Sequence, residues 1–547
     1  MFLATPAPLH TLLTLLTPTH FYLRFFSLQL MGILLNNRSS VVQTHVLTAA
    51  GGVGRLVETL DDSREIIRNE SLLLIISLTT SNADIQKLLA FEGAFDKLFA
   101  IVRQEGGIGS GGIVVQDCLA AIGGLLRWNV SNQVSTTRHR PLCTAQLPLA
   151  VRVLQLTRLV AAQNYFRETS CIPLLAPLLL FPHPAQLNPT TLKAFVFQSW
   201  SEQKVINAGL VISLVRMLVG GAGNGRAGNQ TALLASGLTR CLAELALASN
   251  APAVLKSQSL NALADILRLS PPNQDALTNL VVTPLIPPLA PSATDAYHSV
   301  GDEAGQGGED DLNGGGSADG HARVQPSDTK WRKGLPTPAV VATVALVVNG
   351  DGTPGREGLR VRAGAAGLFE SYAASSTDTQ LGILATMAAP PMELEDGTLS
   401  QSAGSILLNA LRTFPSPTRN DQFDSYTPFF ASLLFSHLVL HSESSKAAAR
   451  AIYFGGDDGE PGGEVDDDDR VSLVSIVVGN LMMAQREQAQ SANAGLGPER
   501  GLEWSRVMVG YLIVMAVWLW ESPGTVKEFL SEGSNLQVVS RQANTSS

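Results

Sequence analysis

The most regular feature of the chain is a recurring apolar octet. Ser27–Leu34 (SLQLMGIL) aligns with Ser71–Leu78 (SLLLIISL) and with Cys118–Leu125 (CLAAIGGL), at spacings of 44 and 47 residues. Each copy opens on a small residue followed by Leu, is apolar on nearly every side, and is followed by Asn36 and Asn37, Ser81 and Asn82, or Ser131 and Asn132. A helix that is apolar all round must be enclosed by other helices, and a Ser or Asn after it can cap the next one. Ser257–Leu263 (SQSLNAL), followed by Asn273 and Gln274, is a weaker copy. Between the copies, Gly51–Leu60 (GGVGRLVETL) and Ala90–Leu98 (AFEGAFDKL) carry apolar residues at helical spacing and supply shorter helices. Helical units repeating every ~40–47 residues mark armadillo or HEAT-type solenoids, in which no unit buries its apolar face alone and stacking yields a continuous core. The pattern therefore predicts an all-α, armadillo/HEAT-like right-handed α-solenoid of three-helix repeats.

Several stretches break the period. Residues 134–162 hold Arg138, His139, Arg140 and Pro141 and then a Leu/Val-rich run, and read as an atypical insertion. Gly220–Gly228 is Gly-rich and predicts a mobile loop. Residues 291–330 combine Gly, Ser, Asp and Pro, and predict a disordered Gly/acidic loop. Residues 455–469 form a second acidic loop ending in Asp466–Asp469, and residues 540–547 an unstructured tail.

Length and composition agree with an array of repeats. A chain of 547 residues exceeds what one core of roughly 250–300 residues accommodates. Hydrophobic residues make up 45% and charged residues 16%, too apolar for a mainly disordered chain. A net charge of −9 without a basic stripe argues against nucleic acid as a partner. The four cysteines, Cys118, Cys143, Cys171 and Cys241, stand too far apart for a zinc or disulfide framework. Residues 1–20 lack a basic leader segment and contain Pro6, Pro8 and Pro18, so a signal peptide is a poor reading. Val507–Trp520 is about 14 residues, short of the ~20 that span a bilayer, and predicts a buried core helix with any membrane contact peripheral.

The chemical motifs resolve to structural roles. His437 and His441 have the spacing of a metal pair on one helical face but no third ligand, and read as solenoid surface. Gly220–Gly225 lacks the Lys-Ser/Thr of a phosphate loop. Asp466–Asp469 lacks the alternating spacing of a calcium loop. Trp518 and Trp520 lie in an apolar helix and read as packing residues. No catalytic, cofactor or metal site is predicted, and the chain is expected not to be an enzyme. In armadillo-type arrays the long helices line the concave surface, so Arg68, Asn69, Asp117 and Arg127 beside them are the candidate partner contacts. Asn69 and Asp117 could instead cap helices.

Six segments are similar to one known family. Asp61–Glu70 (DDSREIIRNE), then Ser81–Lys87 (SNADIQK), Ala90–Phe95 and Gly111–Leu119 (GGIVVQDCL), and finally Val517–Pro523 (VWLWESP) with Thr525–Leu536 (TVKEFLSEGSNL) resemble the head of the Uso-type Golgi vesicle tethers, the general vesicular transport factors. The resemblance implies an armadillo-like head over residues 8–539, incomplete at both ends, with a coiled coil and acidic tail beyond it. It implies a cytoplasmic protein, peripheral on Golgi membranes, that binds a Rab-type GTPase, SNAREs and Golgi membrane proteins, pairs as a homodimer and needs no cofactor. Another armadillo/HEAT adaptor, such as a nuclear transport or scaffold protein, shares the helical period but should carry Trp/Asn arrays along one groove. A helical enzyme should show convergent titratable residues.

Overall fold

The computed structural model describes residues 3–17, 20–126, 163–220, 224–286, 331–374, 376–387, 392–393, 399–415, 424–454, 471–493 and 498–531. The expected insertion at 134–162, the loops 291–330 and 455–469, the tail 540–547 and Arg127 lie outside these residues.

The described chain is helical almost throughout. In order it forms α1 (Ala7–Thr14), α2 (Phe21–Asn37), α3 (Ser39–Thr48), α4 (Gly52–Glu58), α5 (Glu65–Leu78), α6 (Ala83–Phe91), α7 (Ala94–Gln104) and α8 (Ile113–Leu126). After the insertion come α9 (Pro189–Val196), α10 (Glu202–Val219), α11 (Asn224–Ala235), α12 (Leu238–Leu247), α13 (Ala253–Leu267), α14 (Pro271–Thr278), α15 (Ala339–Asn349) and α16 (Gly355–Ala373). The chain ends in α17 (Thr377–Ala385), α18 (Ala403–Arg412), α19 (Tyr426–Val439), α20 (Glu443–Arg450), α21 (Leu473–Asn493), α22 (Pro498–Leu519) and α23 (Pro523–Ser531).

The long helices stack into one row. α2 packs on α5, α5 on α8, α8 on α10, α10 on α13, α13 on α16, α16 on α19 and α19 on α22. Six of these eight are preceded by a shorter pair, so α3-α4-α5, α6-α7-α8, α11-α12-α13, α14-α15-α16, α17-α18-α19 and α20-α21-α22 are three-helix units. This is the armadillo-like solenoid the periodicity predicts, with a single continuous core running its length. All three strongly apolar octets fall in the inner row, in α2, α5 and α8, and the weaker copy falls in α13.

Local chemistry sets the breaks. Ala90–Leu98, expected as one helical stretch, is two helices because Gly93 between them takes φ 84°. Only glycine adopts that conformation freely, and Gly237 (φ 75°) separates α11 from α12 in the same way. Asn82 caps α6 by accepting from the Ile85 N–H at 3.0 Å, as its place after the octet suggested. Ser402 and Ser405 form a reciprocal capping box on α18.

Close approach of inner helices rests on small residues. A Cβ built on Gly364 of α16 would stand 3.2 Å from Leu260 Cβ and 3.3 Å from the Ser257 carbonyl oxygen of α13. On Gly510 of α22 it would stand 3.0 Å from the Phe429 Cα of α19.

The described strands are two-residue ladders. β1 (Val281–Val282), β2 (Leu285–Ile286), β3 (Arg332–Lys333) and β4 (Thr337–Pro338) form one antiparallel hairpin stem, with β1 on β4 and β2 on β3. β5 (Met392–Glu393) pairs with β6 (Leu399–Ser400), and β7 (Tyr453–Phe454) with β8 (Val471–Ser472). All three stems leave between the first and second helices of successive units, so the interruptions fall at one recurring position of the repeat.

Four expectations are corrected. The Gly-rich stretch 220–228 is not one loop: α11 begins at Asn224, because buried Asn229 donates to the Leu218 carbonyl at 2.8 Å and Gln230 to the Ile266 carbonyl at 2.8 Å. His441 does not share a helical face with His437, since α19 ends at Val439 and His441 takes φ 62°. Trp518 is fully buried, edge-on to Phe435 at 5.0 Å, but Trp520 lies past the end of α22 with 69% of its surface exposed. Finally, the apolar helix exceeds 14 residues: among the described residues Glu499–Leu519 is long and apolar enough to cross a membrane. One face of it, carrying Trp504, Val507, Tyr511, Val514 and Trp518, is buried and it packs on α19 and α21, while Leu502, Val509 and Leu512 on it are exposed.

Candidate partner-binding surface

Each inner helix turns one face to the core and leaves another unpacked. In α2 the core takes Leu28, Met31 and Leu35, while Tyr22, Phe26 and Ile33 are more than half exposed, with the rings of Tyr22 and Phe26 stacked at 6.2 Å. In α5 the core takes Ile67, Leu74, Ile75 and Leu78, and Ile66 and Leu73 are exposed. α8 exposes Ile113. Ile33 and Leu73 belong to the octets and Tyr22, Phe26, Ile66 and Ile113 precede them on the same helices, so the exposed apolar residues make up a stripe distributed over three neighbouring helices. Contiguous exposed apolar surface of this kind marks interaction sites more often than isolated residues do.

A notch of about 220 Å³ lies between α5, α8 and α10. Gly123 and Gly124 form its floor, where the absence of side chains opens the space, and Ile76, Leu119, Leu210 and Met217 supply most of the wall. Thr79, Thr80 and Ser213 are its polar groups. Such a recess accepts one aliphatic or aromatic side chain.

The four predicted contacts divide. Arg68 is held in place, its Nη1 donating to the Asp62 carbonyl at 3.3 Å and its Nη2 lying 3.6 Å from Glu105 Oε1. Asn69 sits half-buried within α5 and Asp117 half-buried within α8, so neither caps a helix. Burial pushes the Asp117 carboxyl above its ordinary value. Arg68, Glu105 and Asp117 all bear on the thiol of Cys118, which burial first and these two carboxylates second push up to about 12, leaving it unreactive. The structure therefore brings Arg68 and Asp117 to one neighbourhood around Cys118. Tyr22, Phe26, Ile33, Leu73 and Ile113 were missed by sequence reasoning; for Ile33 and Leu73 the available signal was that the octets carry more apolar residues than one buried face needs, and for the other three no signal stood out.

Buried amides tie the inner row to the first helix of each unit. Gln43 donates to the Leu78 carbonyl at 3.1 Å, Gln86 to that of Thr79 at 2.8 Å, and Gln380 to that of Ala373 at 3.1 Å. Gln274 reaches both Leu267 and Ser371, at 3.2 and 3.1 Å. In α20 a lysine takes this place, Lys446 donating to the Trp520 carbonyl. These groups satisfy the last carbonyls of the inner helices, which have no partner within the helix.

Comparison with known proteins places this scaffold. Residues 323–547 match the family described as Uso1 / p115 like vesicle tethering protein, head region. The chain is 33% identical over 279 residues to the human (Homo sapiens) general vesicular transport factor p115, covering 51% of this chain and 24% of that protein. This chain is similar to the Uso-type vesicle tether heads over these stretches. It is also 48% identical over 108 residues to Golgin candidate 6 of Arabidopsis thaliana, covering 20% of this chain and 12% of that one. A solved structure, "Crystal structure of Uso1-2", superposes with a TM-score of 0.67 at 18% identity, over 98% of this chain and 64% of that one, which shows a shared fold. The chain thus spans a quarter or less of the length of these two curated relatives.

Proposed function

We propose that this Uso-type head works as a vesicle-tethering scaffold in ER-to-Golgi and intra-Golgi traffic, acting by binding alone. Its partners in this reading are a Rab-type GTPase, SNAREs and Golgi membrane proteins, met in the cytoplasm and at the Golgi membrane, where the protein is peripheral and paired as a homodimer. The observation that carries the proposal is the apolar stripe on the open side of α2, α5 and α8, on a scaffold whose relatives bear the names of vesicular transport factors. A rigid row of helices presents such a stripe at little ordering cost, which favours affinity. Arg68, Asn69 and Asp117 form the polar rim, and Tyr22, Phe26, Ile33, Leu73 and Ile113 the apolar centre, the arrangement of an interface with a desolvated core. Holding a membrane-bound partner raises the local concentration of vesicle and target before fusion.

The test is a pull-down of the full chain with a panel of Rab-type GTPases loaded with GTP or GDP. Retention of at least one member in its GTP form, and weak retention in its GDP form, is expected. Equal failure with every member in both states would refute the GTPase part of the proposal.

A further inference from the structure

A second recess lies away from the inner row, where α9, α12 and the hairpin stem of β1–β4 meet. Its volume is about 340 Å³, within the range of ligand clefts. Leu192 and Val196 of α9 and Leu285 of β2 contribute apolar wall, and four charged groups face it: Lys193, Arg240, Glu244 and Lys333. In a chain of net charge −9, three cations to one carboxylate is a local inversion of sign. Glu244 is 2% exposed and already engaged, with Arg240 Nε 3.7 Å from its Oε1. Lys193 and Lys333 are exposed, stand on opposite walls, and form no ion pair among the described residues.

We propose that this cleft binds an acidic linear peptide of a partner protein, with one aliphatic or aromatic residue seated between α9 and β2 and flanking Asp or Glu side chains reaching Lys193 and Lys333. Charge complementarity selects the acidic partner, and the apolar wall selects a peptide over a bare anion, which would leave Leu192, Val196 and Leu285 unused. Burial favours the neutral form of Glu244, which lowers the repulsion an arriving carboxylate meets. The site is separate from the stripe on α2, α5 and α8, so one head can hold two partners.

The test is fluorescence anisotropy of the full chain with labelled short peptides in which a Leu or Phe is flanked by Asp and Glu. Binding that weakens with added salt is expected, with no binding of the peptide bearing Lys in place of the acids, and weaker binding when the anchor is Ala. Lys193→Glu with Lys333→Glu should weaken binding by about tenfold or more, since reversing close charges turns attraction into repulsion. Both residues are exposed and unpaired, so the helical signal and melting point should hold; Lys193→Gln with Lys333→Gln serves if they do not. Leu73→Asp should leave this binding unchanged. Equal affinity in the charge-reversed protein, or equal binding of the Lys peptide, would overturn the proposal, as would no binding at low salt. If peptide binds only after Glu309→Gln, Asp310→Asn and Asp311→Asn together, the chain's own acidic segment is the occupant and the partner assignment falls.

Discussion

Arg362 joins three elements through one side chain. Its Nε donates to the Val347 carbonyl at 2.8 Å and its Nη2 to that of Val348 at 2.7 Å, while Nη1 lies 3.0 Å from Asp424 Oδ2 and the guanidinium sits 5.0 Å from the centre of the Phe430 ring. The planar fork meets four directions at once, which lysine cannot do. Arg362→Met keeps the bulk but strands the Val347 carbonyl at the end of α15, while that of Val348 keeps the Thr427 hydroxyl at 2.8 Å, and should cost about 1–3 kcal/mol, read as a lower denaturation midpoint. Asp351 behaves differently because it titrates. Burial alone would raise its carboxyl, but Lys256, 3.1 Å away, and Thr353 hold it below the ordinary aspartate value. A folded value below the unfolded one gives stability that is complete above about pH 5 and is lost as pH falls through the unfolded value near 3.9 to the lower folded one. Melting points measured across that window should fall less steeply in Asp351→Asn than in the parent, whereas parallel curves would show that this pair contributes nothing. Neither role was readable in the sequence, since Arg362 and Asp424 are separated by more than a helix and a long connection.

At the scale of elements, the inner row was visible in advance only where its helices are apolar without interruption. α2, α5 and α8 announce themselves by the octet. α16 does not, because Arg356, Glu357, Arg360 and Glu370 break its apolar run and small residues, Gly364 among them, do its packing against α13. The Ser and Asn after each octet pointed to caps, and Asn82 is one. What that argument lacked was the glutamine one residue or four beyond, which caps backwards: a hydrogen bond from a first helix to the end of a long helix joins positions that local spacing does not relate. Gln274→Ala removes donors from the ends of both α13 and α16 and should cost about 1–3 kcal/mol. Because solenoid units are coupled mainly to their neighbours, amide exchange should quicken first at the C-terminal turns of those two helices. Uniform quickening along the chain would contradict a local cap.

For the whole molecule, periodicity sufficed to name an all-α solenoid, and the motif strings sufficed to name the family, because a repeat array is specified by burial repeated at one spacing. The interaction surface was legible only in part. Arg68 and Asp117 lie close to Cys118, and Ile33 and Leu73, read as part of helices apolar on nearly every side, are exposed, since a one-dimensional pattern does not separate a helix wrapped on all sides from one wrapped on three. The central claim is that this open apolar side of the inner row is where the head meets its GTPase. It is tested most directly by measuring the affinity of one GTP-loaded Rab-type GTPase for the parent chain, for Leu73→Asp with Ile113→Asp, and for Glu58→Lys on α4 outside the inner row. The account predicts a loss of about a hundredfold or more for the double variant, as truncating central apolar contacts of an interface does, and unchanged affinity for Glu58→Lys. A double variant that stays folded and binds as tightly as the parent would contradict it.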